Sequence, residues 1–384
     1  MKQRLAIITE IIAPYRIPLF NALAEIPEID LHVIFLGETD PNLREWRVYR
    51  EEIRFSFEVL PSWRRRIGKY NALLNARMGA ALTHARPVAI LCGGYSYVSS
   101  WQALLWARKH RVAFLLWSES NRQDQRRYLP AVEWLKKQFL DRCDGFVVPG
   151  QSAFKYVNAQ KIRNQPIFVA PNAVDNRLFS NAAEFARNNA DRLRQELNLP
   201  QHYFLFVGRL VREKGVYELL SAYTSLNPDL RRQFGLVFVG DGPCRRQLQE
   251  LAHNFSGRAA GIVFGGFVQR EQLGAYYGLA EVLVLPTHTD TWGMAVNEAM
   301  ACGLPLIVSE AAGCASDLVQ EDGNGVLVKP RDVSGLASAM SSMGCDAHVR
   351  RRLGQNSARH ILDYSPDAWA KSVARAIQEA TRHS

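Results

Sequence analysis

Val284-Leu-Pro-Thr-His-Thr-Asp-Thr-Trp-Gly-Met-Ala-Val-Asn-Glu-Ala-Met-Ala-Cys-Gly-Leu-Pro-Leu-Ile-Val308 is the stretch whose reading decides the fold. It continues an apolar run of strand length, Glu281-Val-Leu-Val-Leu-Pro286, which a proline closes. A polar loop follows, His288-Thr-Asp-Thr291. Residues 294–302 then read as a short helix rich in Ala and Met, stopped by Gly303 and Pro305, and Leu306-Ile-Val308 is the next buried strand. Strand, loop, helix and strand in that order make the βαβ unit of a parallel sheet.

The loop is where chemistry is expected. A helix N-terminus presents free N–H groups and the positive end of a dipole, which suits an anion. Asp290 sits just before the helix and Glu298 about one and a half turns into it, at ~1.5 Å rise per residue. Two acids at two depths can hold two hydroxyl-bearing parts of one ligand, with phosphate between them. The same spacing also fits an N-cap Asp and a solvated Glu.

Working outward, the second half opens with a strand, Tyr203-Phe-Leu-Phe-Val207, followed by the loop Gly208-Arg209-Leu-Val-Arg-Glu-Lys214-Gly215 and a helix over 216–224. The glycines let the backbone approach a ligand closely, Arg209 offers a planar fork for phosphate, and Lys214 a point charge. Leu236-Val-Phe-Val-Gly240-Asp-Gly-Pro243 is a strand and tight turn that lacks the third glycine of a dinucleotide fingerprint. Helices are expected over 272–279, 332–340, 347–362 and 368–381, with a late strand at 325–328.

The first half also alternates. Strands are expected at 5–9, 31–36, 55–60, 88–91, 112–117, 145–148 and 167–170. Helices are expected at 17–25, 100–109, 128–142 and 152–159. This predicts an α/β doubly wound parallel sheet, whose ligands sit at strand carboxyl ends. The strand-end candidates are Tyr15 and Arg16, Gly94 in Gly93-Gly94-Tyr95, and Glu119. Glu119 would orient a hydroxyl or cap the following turn. Pro171-Asn-Ala-Val-Asp175 reads as a turn, and polar, poorly patterned sequence is expected from there to about residue 200.

At 384 residues the chain is too long for one ordinary core. The expected organisation is 1–175, 176–365 and a last helical segment at 366–384. The formal charge of +10 is uneven: residues 1–175 hold 25 Lys+Arg against 16 Asp+Glu. That excess points to an anionic partner for the first half. The densest patch is Trp63-Arg-Arg-Arg-Ile-Gly-Lys-Tyr70, and Arg122, Arg126, Arg127, Lys136 and Lys137 form a second. Basic residues mixed with Trp and Tyr suit an anionic membrane surface, and otherwise make a solvated face. No nucleic-acid-binding pattern stands out, so no nucleic acid partner is expected. No apolar run reaches the length of a membrane span, and the N-terminus lacks a signal-peptide cleavage site. The six cysteines form no Cys-x-x-Cys, so a reduced, cytoplasmic setting is expected.

Asp290-x-Trp-Gly-x-x-x-x-Glu298-Ala-Met-Ala-Cys-Gly-Leu-Pro resembles the acid-x7-Glu motif of retaining GT-B glycosyltransferases of the family-4 type, glycosyl transferases group 1. The Gly208-Arg209 to Lys214-Gly215 loop, Pro171–Asp175 and the strand at 325–328 are similar to elements of the same family. The resemblance covers the whole chain, most strongly over 203–330. It implies two facing Rossmann-like domains, acceptor-binding in the first and nucleotide-sugar-binding in the second, with the last helix returning to the first. In the family the first acid, usually Glu and here Asp290, contacts donor-sugar hydroxyls, and the second, Glu298, the ribose. Arg209 and Lys214 would grip the diphosphate, with Asp290 completing the catalytic set. Gly208, Val268, Trp292, Gly293 and Met294 would complete the donor site, Val268 lying in a segment that borders the base. The glycine-rich loop after strand one and the histidine near Glu119 that the family commonly carries are not here.

The implied activity is transfer of a sugar, with retention, from a UDP or GDP donor to an acceptor hydroxyl. The acceptor would be a lipid-linked saccharide or polysaccharide in cell-surface polysaccharide, lipopolysaccharide or glycolipid assembly, on the inner face of the membrane. No Asp-x-Asp triplet occurs, so metal independence and no further cofactor are expected. The alternatives are a GT-B sugar-nucleotide epimerase and a non-catalytic nucleotide-sugar-binding subunit.

Overall fold

The structure, a computed structural model, describes residues 2–39, 46–67, 70–121, 130–160, 165–255 and 261–382, with backbone only at 64–67 and 70–72. The chain divides into two units, Met1–Val174 with Ser365–Ser384, and Asp175–Tyr364.

The first unit is built on β1 (Gln3–Thr9), β2 (Ile29–Phe35), β3 (Ser56–Val59), β6 (Ala89–Gly93), β7 (Ala113–Trp117), β8 (Gly145–Val148) and β9 (Ile167–Val169); β4 (Trp63–Ile67) and β5 (Tyr70–Leu74) stand outside that sheet. The sheet order is β3-β2-β1-β6-β7-β8-β9, and every pairing in it is parallel. Ile7 of β1 faces Val33 on one side and Leu91 on the other. Parallel sheets of this kind are covered on both faces, which is why β1 reads as unbroken apolar sequence. Successive side chains serve opposite cores: Leu5 and Ile7 join one cluster, Ala6 and Ile8 the other.

The first of these clusters is completed by the helix Pro366–Arg382. Trp369 is fully buried there, with its ring 5.8 Å from that of Phe20 and 5.3 Å from that of Trp117.

Of the basic patch at 63–70, residues 63–67 lie on β4 and residue 70 on β5, an antiparallel pair apart from the main sheet, and 68 and 69 lie outside the described residues. A helix, Met78–Ala85, follows it and has no counterpart in the sequence-based expectations. Of the second patch, Arg122, Arg126 and Arg127 lie outside the described residues, as do 128 and 129 of the helix expected at 128–142. The described part of that helix is Pro130–Leu140. Lys136 is not part of an exposed charge cluster. It is buried, and its Nζ donates to the Tyr156 hydroxyl at 2.8 Å. No helix among the described residues is long and apolar enough to cross a membrane.

The second unit holds β10 (His202–Val207), β11 (Phe234–Val239), β12 (Ile262–Gly266), β13 (Val282–Leu285), β14 (Leu306–Ser309) and β15 (Gly325–Val328). The order is β12-β11-β10-β13-β14-β15, all parallel. Strand order therefore reverses between β10 and β13. The expectation of unpatterned sequence to residue 200 is corrected. Asp175 caps a helix Asn176–Asn188, accepting from the Leu178 amide at 3.0 Å, and a second helix, Ala190–Glu196, follows. The longer helix buries Phe179, Ala183 and Ala186 against the helix Arg270–Leu279, a face made mostly of alanine, which leaves little apolar contrast to read.

Candidate functional site

Ligands of doubly wound sheets sit at the strand carboxyl ends where the order reverses. In the second unit this brings together the loops after β10 (208–215) and after β13 (286–293), since β10 and β13 are neighbours. Main chain ties the loops. The His288 amide donates to the Glu213 carbonyl at 2.8 Å, and the Thr287 hydroxyl donates to the same oxygen at 2.9 Å. Gly215 makes this approach possible. Its φ is +68°, and a Cβ there would stand 2.0 Å from the Pro286 carbonyl oxygen.

Across this junction Lys214 Nζ donates to Asp290 Oδ2, an ion pair of two largely shielded side chains, 22% and 14% exposed. Shielding from water strengthens the attraction, and neither side chain is cut off from solvent. Lys214 is thus a positioned cation that can exchange its carboxylate for an incoming phosphate. Arg209, in the same loop, is exposed, and no ion pair to it is found among the described residues. Gly208 ends β10 with its amide on the Val239 carbonyl. Val268 follows β12 and is half-buried.

The loop after β13 is pinned from behind. The Asp290 carbonyl accepts from the Gly313 amide at 3.1 Å, and the Trp292 carbonyl from the Cys314 amide at 3.0 Å. Trp292 is only 2% exposed, and its indole N–H donates to Asn297 Oδ1 at 2.8 Å. A buried indole needs a partner for its N–H, and Asn297, one turn into the following helix, provides it. Nor is Asp290 the N-cap. That position is Gly293, at φ +106°, and no side chain caps the helix Met294–Ala301. A Cβ at Gly293 would come within 3.1 Å of Leu285 Cδ2. The uncapped first turn, opened by Met294, leaves leading amides to meet an anion.

Glu298 lies on the same helix, half-buried rather than solvated. The Tyr277 hydroxyl donates to its Oε2 at 2.6 Å. Burial pushes the carboxyl pKa up to about 7, against the opposing effect of that hydrogen bond. Tyr277 itself is fully buried, and burial and the facing carboxylate push its own hydroxyl well up. Sequence reading missed Tyr277. The only available signal was that a tyrosine buried in a helix has a hydroxyl to satisfy.

In the first unit the order reverses between β1 and β6. Here the turn after β1 is a short 3-10 segment, Pro14–Arg16. Arg16 donates to the Thr9 hydroxyl at 2.6 Å and lies 3.5 Å from Glu119 Oε1, and its guanidinium carbon sits 4.4 Å from the Trp117 ring centroid. Glu119 Oε1 also accepts from Asn172 Nδ2 at 3.4 Å, so Glu119 links two strand ends. Tyr15 is half-buried and edge-on to Trp46 at 6.0 Å. Gly94 follows β6 with open space where a Cβ would be.

Residues 188–360 match the family described as glycosyl transferases group 1. Among curated proteins the chain is 30% identical over 222 residues to a D-inositol 3-phosphate glycosyltransferase of Xylanimonas cellulosilytica, covering 56% of this chain and 52% of that one. It is 33% identical over 178 residues to sulfoquinovosyl transferase SQD2 of Arabidopsis thaliana, covering 46% and 32%. The chain thus spans about half the length, or less, of these curated relatives. Among solved structures, sucrose-phosphate synthase from Thermosynechococcus elongatus superposes with a TM-score of 0.77 at 21% identity over 100% of both chains. Anabaena HepE, solved in complex with UDP and glucose, gives 0.76 at 15% identity over 98% of this chain and 99% of that one.

Proposed function

The second unit belongs to the glycosyl transferases group 1, on a chain with the fold of GT-B glycosyltransferase structures, and from that premise we propose that the protein transfers a sugar from a nucleotide-diphosphate donor to an acceptor hydroxyl with retention. The observation that carries the reading is the Lys214–Asp290 pair at the strand-order reversal, beside an exposed Arg209 and an uncapped helix. Leaving-group departure puts negative charge on the diphosphate. Arg209, Lys214 and the leading amides of the helix at Met294 stabilise it as it develops. Asp290, released from Lys214 as phosphate arrives, accepts hydroxyls of the sugar ring. Glu298 takes the ribose.

The bond from the anomeric carbon to the phosphate oxygen breaks while the acceptor oxygen bonds to the same carbon on the same face. The acceptor proton passes to the departing phosphate. This step calls for no protein nucleophile and no metal. UDP or GDP is the donor nucleotide. The acceptor is a lipid-linked saccharide or polysaccharide of the cell surface, bound by the first unit through Tyr15, Arg16, Gly94 and Glu119. The basic excess of that unit supports a peripheral position on an anionic inner membrane face.

The test is thermal unfolding against a panel of UDP-, GDP- and ADP-sugars, with and without magnesium. A ligand at about 100 times its Kd adds roughly 2.7 kcal/mol, which moves the transition clearly. A shift with one nucleotide series in the absence of magnesium is expected. No shift with any of them sinks the donor-site reading.

A further inference from the structure

Among the described residues Tyr277 is the one polar side chain that holds Glu298. Its hydroxyl lies 2.6 Å from Oε2, and among the described residues no second hydrogen bond to that carboxylate is found. A carboxylate with one oxygen tethered cannot rotate freely, and its other oxygen stays available as an acceptor.

Tyr277 is itself immobilised. It is fully buried, with its ring edge-on to Phe179 at 6.1 Å. Phe179 belongs to the helix Asn176–Asn188, which lies so close that a Cβ on Gly274 would meet that of Ala182 at 2.3 Å, and one on Gly278 would meet the Ala183 Cα at 2.8 Å. Arg187 of the same helix donates to the Gly278 carbonyl at 3.2 Å and also to the Cys302 carbonyl, so it ties both ends of the seam. The helix carrying Tyr277 and the helix carrying Glu298 are thus clamped to a common third helix.

We infer that Tyr277 is a positioning residue, which tethers one oxygen of Glu298 so that the carboxylate meets the ribose hydroxyls of the bound nucleotide in a single fixed orientation. The inference rests on the donor-site reading given above. Tyr277 touches no ligand, and its whole effect passes through Glu298. Replacement by Phe keeps the ring and its contact with Phe179, and removes only the tether. Hydrogen bonds to charged groups are worth about 1.5–3 kcal/mol, so a loss of nucleotide affinity of about tenfold or more is expected.

The experiment is calorimetric titration of UDP and GDP into the full chain and its Tyr277→Phe, Glu298→Gln and doubly substituted forms, with dUDP and dGDP as probes lacking the 2′-hydroxyl. The expected result is roughly tenfold weaker binding of the preferred ribonucleotide to Tyr277→Phe. The change should be much smaller for its deoxy counterpart, and Tyr277→Phe should do nothing further in the Glu298→Gln background. A merely structural tyrosine would act independently of residue 298 and would weaken both nucleotides alike. Unchanged ribonucleotide binding by Tyr277→Phe, or full additivity with Glu298→Gln, overturns the inference and leaves the donor-site reading standing. A parent chain that binds neither UDP nor GDP overturns both.

Discussion

The two units share one strand plan and use it differently. Each starts at a central strand, adds two neighbours on one side, then crosses to the other. Each also places a cation and a carboxylate at the resulting reversal, Arg16 with Glu119 in the first and Lys214 with Asp290 in the second. The surroundings differ. Arg16 is occupied on several sides, by Thr9, by Glu119 and by the face of Trp117. Among the described residues Lys214 has a single carboxylate partner, on a loop fixed by main-chain hydrogen bonds. A cation shared among several fixed groups is suited to hold a surface in shape. One with a single exchangeable partner is suited to receive charge. On the proposed function, the same scaffold would serve as a rigid recognition face in one unit and a responsive anion site in the other.

That contrast can be broken at its most expensive point first. Trp369→Ala removes a fully buried ring from the first unit, and a loss of about 3–5 kcal/mol is expected, read as an early transition in denaturant unfolding. Nucleotide binding, which we propose for the second unit, should survive at temperatures where the first has melted. Loss of both together would mean that the units do not act independently.

Next in size is Lys214→Ala. Removing one preorganised charge-stabilising group costs about a hundredfold to a thousandfold in kcat. Glu119→Gln should cost less. It weakens the Arg16 link and raises the KM for acceptor about tenfold, with the nucleotide Kd unchanged. A reversed pattern, with Glu119→Gln acting on nucleotide binding, would erase the division of labour.

The stability of the second unit should also depend on pH. Burial raises the Glu298 carboxyl pKa from its ordinary 4.5 to about 7 in the folded chain. Above the lower value the unfolded chain releases its proton first, so this group's contribution to stability falls as pH rises between the two and is flat beyond. Glu298→Gln removes that slope. The Tm of the parent relative to Glu298→Gln should therefore drop from pH 4.5 to 7 and then level off. Nucleotide affinity should rise with pH around 7, as the folded chain forms the carboxylate that accepts ribose hydroxyls.

What was legible in the sequence was what strand ends make local. Asp290, Lys214 and Arg209 each follow an apolar run closed by Pro or Gly, and the alternation of runs and helices announces two parallel sheets before any coordinates. What was not legible depended on pairing across the chain. Tyr277 and Glu298 meet from different helices, and nothing in either helix pattern names the other. The inward turn of the Trp292 indole to Asn297 was likewise hidden, because its neighbours in sequence are loop residues. The helix Asn176–Asn188 was hidden because its buried face is mostly alanine, which packs closely on glycine but contributes little hydrophobic contrast.

The helix Pro366–Arg382 has a consequence for how the chain is made. The first unit cannot fill its core around Phe20 and Trp117 until Trp369 has been synthesised, and residues 175–364 lie in between. At translation speeds of about 5–20 residues per second that is a wait of roughly 10–40 s. During this interval the second unit, whose segments are contiguous, can already be folded on the ribosome. The half made first can thus be the one completed last.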